Sequence, residues 1–179
     1  MTAIAIISGS NRAGSTSGQL AMYAGKKLEE LGCKVTVINL YEKPIPFYSP
    51  DTIPYGDANL QLLFDTAKKA DGLMLISPEY HGGVTGVFKN ALDHLSSEQC
   101  EGKIVLSACS AGGAVGISTL QQMQAMVRYV HGINCPEWIS LGGDLRRFNA
   151  DGEPEAEAVR TRVAKSLSYF VHMIEKLRA

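Results

Sequence analysis

Directly after the apolar run Ile4–Ile7 the chain reads Ser8-Gly9-Ser10-Asn11-Arg12-Ala13-Gly14-Ser15-Thr16-Ser17-Gly18. Glycines, hydroxyls and one guanidinium stand between a β-prone stretch and a helical pattern that begins near Ser17. That arrangement is anion chemistry. Loop N–H groups and the positive end of the helix dipole face the guest, and side-chain donors supplement them. The spacing Gly9-x-x-x-x-Gly14 is that of a nucleoside-triphosphate loop, but Ser15-Thr16 stands where Lys-Ser/Thr is required. Without the lysine that reaches the outer phosphates, the expected guest is a monophosphate. The candidate contacts are Ser10, Asn11, Arg12, Ser15, Thr16 and Ser17. An ordinary glycine-rich turn with serine caps is the alternative, and it leaves so many hydroxyls beside an arginine unaccounted for.

A second loop, Pro78-Glu79-Tyr80-His81-Gly82-Gly83, combines backbone donors, an aromatic face and glycines that permit close backbone approach. These suit the edge and face of a flat heteroaromatic ring, although Tyr80 and His81 also read as plain surface residues. Glu79 is a possible acid with no supporting neighbour pattern, and Lys89 with Asp93 reads as a surface i,i+4 pair. A third loop, Ser110-Ala111-Gly112-Gly113-Ala114-Val115-Gly116, offers N–H donors to a ring carbonyl or to developing negative charge. It nearly matches a dinucleotide fingerprint, with Ala111 in place of the first glycine, and a tight packing turn is the competing reading.

The remaining reactive residues point away from protein-borne chemistry. His94, His131 and His172 are isolated on helical faces or ends. Met123 and Met126 read as core or interface. Cys33, Cys100, Cys109 and Cys135 lack metal spacing and read as free, mostly buried thiols, with no metal site. No nucleophile–base pair or zinc motif occurs. A phosphate loop and a ring loop without a catalytic constellation imply that a cofactor carries the reaction.

These loops need elements to hold them. Strand patterns at 3–8, 34–40, 72–77, 103–110 and around Trp138–Leu141 alternate with helical ones at 17–31, 57–69, 86–95 and 117–130, and with a last helix that has Pro154 in its first turn. The stretch 41–56 carries four prolines and reads as turns. Such alternation predicts a parallel α/β sheet covered on both faces, with ligands bound beyond the carboxyl ends of the strands. All three loops leave those ends.

The 179 residues and 45% hydrophobic content suit one globular domain over 1–179. A net charge of -1 argues against a nucleic-acid partner, and the absence of long apolar runs argues against a membrane one. No signal-type segment opens the chain, so the cytoplasm is the expected compartment.

Taken in order, Gly9-Ser10-x-Arg12-x-x-Ser15, Pro78-Glu79-Tyr80-His81-Gly82-Gly83, Val87-x-Lys89-Asn90-Ala91-Leu92-Asp93 and Ser110-Ala111-Gly112-Gly113 closely resemble the flavodoxin-like NADPH-dependent FMN reductase family, which includes quinone, azo-dye and chromate reductases. The resemblance spans nearly the whole chain. It implies a three-layer flavodoxin-like fold with strand order 2-1-3-4-5 and non-covalent FMN. The first loop would hold the FMN phosphate. Pro78, Glu79, Tyr80, His81 and Gly82 would hold the ring edge, and Ser110, Ala111, Gly112 and Gly113 its pyrimidine end. Ser17 and His81 stand where many members have asparagine. The resemblance further implies a homodimer or homotetramer, often formed through the helix after the Pro-Glu-Tyr loop.

The expected activity is ping-pong hydride transfer from NADPH or NADH to FMN, and then to a quinone, azo compound, free flavin or similar acceptor. No side chain is expected to act as an obligatory acid or base. A flavodoxin-type electron carrier is the alternative, disfavoured by the near-neutral charge, because such carriers dock through acidic surfaces. An FMN-binding regulatory protein is another.

Overall fold

The computed structural model describes residues 1–178. Five parallel strands, β1 (Ala3–Ser8), β2 (Lys34–Asn39), β3 (Gly72–Pro78), β4 (Ile104–Ala111) and β5 (Ile133–Gly142), form one sheet in the order β2-β1-β3-β4-β5. The order reverses between β1 and β3, so the first and second loops leave neighbouring strand ends. β3 and β4 are buried along their whole length, as interior strands of a two-faced sheet must be.

Alternation along each strand feeds two cores. Ile4, Ile6, Met74, Ile76 and Leu106 face α1 (Thr16–Glu30) and α6 (Glu157–Arg178). Ala5, Ile7, Leu73, Leu75 and Val105 face α2 (Ala58–Lys69), α3 (Gly86–Asp93) and α5 (Ile117–Tyr129). The helix starts follow local chemistry: Ser15, Asp57 and Thr85 each accept a first-turn N–H as N-caps. All four cysteines are free and buried.

Three sequence expectations change. The last helix begins at Glu157 rather than at Pro154, because Phe148 and Pro154 instead pair across a turn held by Asn149. β5 runs ten residues, two and a half times its expected core of Trp138–Leu141. Its register slips between Val105–Asn134 and Ser107–Trp138, a bulge that contains Pro136, and an edge strand tolerates a proline there. A one-turn helix, α4 (Ser97–Cys100), closed by the Ser96–Gln99 capping box, was not expected. Among the described residues no helix is long and apolar enough to cross a membrane.

Candidate active site

The β1–α1 loop shapes itself from within. Ser10 is buried, and its hydroxyl oxygen accepts from Arg12 N–H at 3.2 Å. Ser17 is buried too, and its hydroxyl donates to Ser15 Oγ at 3.3 Å. Ser15 Oγ also accepts from Gly18 N–H at 3.1 Å, while Gln19 N–H closes the first helical bond onto the Ser15 carbonyl. Thr16 and Ser17 are left as the first two helical positions, whose N–H groups have no acceptor inside the helix. Asn11, Arg12 and Gly14 are exposed above them. Beside this loop lies a cavity of about 510 Å³ whose lining includes Arg12, Gly14, Ser15, Gly18, Asn39 and Glu42. The loop has the parts that suit a phosphate: first-turn N–H groups without an acceptor in the helix, the helix N-terminus, and an exposed arginine four residues before Thr16.

The second loop is a two-residue reversal. Tyr80 and Gly83 exchange backbone bonds, at 3.0 Å and 3.1 Å, around His81 (φ 52°) and Gly82 (φ 76°). Both central residues are left-handed, the type I′ geometry that favours Asn-Gly. The asparagine common at position 81 in the resembling family therefore has a backbone reason, and histidine is among the residues that tolerate this region. Tyr80 and His81 stand exposed at the tip, with Pro78 buried beneath.

The three loops are bound together. The Thr85 hydroxyl donates to the Gly9 carbonyl at 2.5 Å and caps Phe88 N–H at 3.1 Å. Gly9 has no room for a side chain, because a β-carbon there would lie 2.4 Å from Phe88 Cδ2. Glu79 N–H donates to the Ser110 carbonyl at 2.8 Å, tying the second loop to the third. The Glu79 carboxylate accepts from the Thr119 hydroxyl at 3.0 Å, and Gln122 Oε1 accepts from Val84 N–H at 3.1 Å. Glu79 is thus a tether to α5 rather than a free acid.

In the third loop Ser110 and Ala111 are buried, whereas Gly112 and Gly113 are exposed, with nothing within 4 Å of where a β-carbon would be. Gly143 N–H donates to the Gly113 carbonyl at 3.0 Å. Open glycine backbone on one side and the Tyr80–Gly83 reversal on the other fit a planar ring edge. Beneath the third loop, burial pushes the Cys109 thiol up to about 12, which keeps it protonated and unreactive. Among the described residues no cluster of His, Cys, Asp or Glu could hold a metal.

Sequence reasoning missed Thr85, Thr119 and Gln122, whose roles depend on partners far along the chain. It also missed Asn90, whose amide accepts from Tyr48 N–H and donates to the Ile45 and Pro46 carbonyls, clamping the proline-rich loop. Asparagine is a poor helix former, and its place in mid-helix was the available signal. Lys89 pairs with Asp93 on the surface, as expected.

Residues 2–145 match the family described as NADPH-dependent FMN reductase. An FMN-dependent NADPH-azoreductase of Staphylococcus saprophyticus is 35% identical over 141 residues, 75% of this chain and 74% of the relative. A Staphylococcus aureus protein of the same description is 32% identical over 151 residues, 82% of this chain and 80% of the relative. Among solved structures, FerB, a flavoenzyme NAD(P)H:(acceptor) oxidoreductase from Paracoccus denitrificans, superposes with a TM-score of 0.79 at 22% identity, covering 98% of each chain. An archaeal flavodoxin superposes with a TM-score of 0.64 at 16% identity over the full length of both chains. At such identities the structures establish the flavodoxin-like fold alone.

Proposed function

The chain belongs to the NADPH-dependent FMN reductase family, and from that premise we propose that its C-terminal sheet edge binds FMN non-covalently, takes hydride from NADPH and passes electrons to a quinone, azo compound or free flavin. The observation that carries this reading is the joining of a phosphate cradle, a type I′ turn and an open glycine loop by the Thr85–Gly9 and Glu79–Ser110 bonds. Bound FMN supplies hydride acceptance and release at its flavin N5.

The protein's part is positioning and electrostatics. Arg12 and the N–H groups of Thr16 and Ser17 hold the phosphate, with Asn11 and Ser15 at its rim, while Ser10 and Ser17 keep the loop in shape. Pro78–Gly82 align one ring edge. The N–H groups of Gly112 and Gly113 face the pyrimidine end, where they offset negative charge without any side-chain proton transfer. Tyr80 and His81, exposed at the tip, border the space left for the acceptor and bear on its selectivity. The flavodoxin-carrier reading loses ground to the family match, since the flavodoxin likeness is one of fold.

The whole chain, 1–179, acts as one domain in this reading. Its free buried thiols suit the reducing cytoplasm. An apolar cavity of about 510 Å³ between α3 and α5, floored by Leu73, Leu75 and Val105 and rimmed by exposed Tyr129, supports a homodimer or homotetramer formed through that face. Light scattering of the purified protein tests the assembly, and a monomer at micromolar concentration would overturn it.

The central test is direct. The purified protein should show flavin absorption and oxidise NADPH with a quinone present. Bound flavin without turnover would return the carrier reading.

A further inference from the structure

A reductase that draws on NADPH must hold one phosphate that NADH lacks, the 2′-phosphate of the adenosine ribose. A planar guanidinium fork is the group that matches such a dianion. Cationic side chains are sparse on the loops that leave the strand ends: Arg12 after β1, Lys43 after β2, none after β3 or β4, and Arg146 with Arg147 after β5. Arg12 belongs to the phosphate cradle. Lys43 follows the far edge strand, on the opposite side of the cradle from the ring loops, and the carboxylate Glu42 precedes it.

Arg146 and Arg147 remain, and their turn sits beside the third loop. β5 neighbours β4, and the turn Gly143–Arg146 is anchored to the third loop by the bond from Gly143 N–H to the Gly113 carbonyl. Gly142 packs so closely there that a β-carbon would fall 2.0 Å from the Ala114 carbonyl oxygen. Arg146 Nε donates to the Gly143 carbonyl at 3.1 Å, which orients the guanidinium. Its two terminal nitrogens have no acceptor among the described residues. Arg147 Nη2 meets Asp144 Oδ1 at 2.7 Å, but both groups are exposed, so a dianion can compete for that arginine.

We propose that Arg146 and Arg147 form the subsite for the NADPH 2′-phosphate, with the Arg146 fork as its main contact, and that this turn sets a preference for NADPH over NADH. The inference rests on the reductase reading above.

The test compares FMN-loaded wild type with Arg146→Ala, Arg147→Ala and the double variant. In steady-state kinetics the double variant should raise KM for NADPH at least roughly tenfold, the size expected for losing a charge-assisted hydrogen bond, and leave KM for NADH and both kcat values unchanged. In calorimetry, wild type should bind adenosine 2′,5′-bisphosphate more tightly than adenosine 5′-monophosphate, and the double variant should lose that preference. Arg146→Lys, with the charge but not the fork, should fall between. Equal losses for both nucleotides, no loss for either, or a bisphosphate preference that survives in the double variant would each overturn the subsite. If wild type binds FMN yet oxidises neither nucleotide, the reductase reading fails, and the calorimetric comparison still decides the subsite.

Discussion

The proposed phosphate cradle and the proposed ring edge are built on opposite plans. In the β1–α1 loop the shaping side-chain bonds span two or three residues: Ser10 with Arg12, and Ser15 with Ser17 and Gly18. At the ring edge they span 40 residues for Glu79 with Thr119 and 38 for Val84 with Gln122, and the 76-residue bond of Thr85 with Gly9 joins the two regions. A locally closed loop loses little further entropy when its guest arrives and withstands changes elsewhere. The ring edge exists only when several helices have docked, so damage to the core should reach it first.

The sharpest way to separate the two regions is Gly142→Ala. A methyl group 2.0 Å from the Ala114 carbonyl cannot be relieved by a rotamer change, so β5 or the third loop must move. We expect a loss of about 3 kcal/mol in urea unfolding, the upper range for overpacking, together with weakened FMN binding. Inorganic phosphate should still protect the first loop in hydrogen exchange. If that protection vanished as well, the two regions would not be independent.

Arg12→Ala combined with Ser15→Ala attacks the cradle in return. FMN affinity should fall roughly a hundredfold, while riboflavin, which lacks the phosphate, should bind as before. Parallel losses for both ligands would refute the assignment. Thr85→Val strikes the bond that joins the regions. It leaves the buried Gly9 carbonyl and Phe88 N–H unpaired, and about 2 kcal/mol of stability should go, with affinities for FMN and riboflavin falling together. The smallest effect belongs to the turn tip. His81→Val, forced into the left-handed region, should cost about 1–2 kcal/mol, whereas His81→Asn should be neutral or slightly stabilising. Matching losses in thermal unfolding would remove the backbone account of that position.

What could be read in advance follows the same division. The five strands and the helix start at Asp57 rest on patterns within a few residues, and the sequence displays them. Pro154 misled because its preference for a first helical turn is local, while its pairing with Phe148 is set by the Asn149 turn between them. β5 was under-read because Pro136 breaks the strand pattern, and only its position at the sheet edge makes that break tolerable. The placement of Glu79 was illegible: nothing near it signals that its carboxylate is taken by Thr119.

By itself, then, the sequence determined an alternating α/β chain and the strand ends that carry unusual loops, because hydrophobic periodicity and capping act over one or two turns. The tertiary structure alone decided that Thr85 joins two loops, that Glu79 is a tether, and that Arg146 and Arg147 stand beside the third loop. Those outcomes depend on which strands become neighbours, and strand order is settled by packing across the whole sheet.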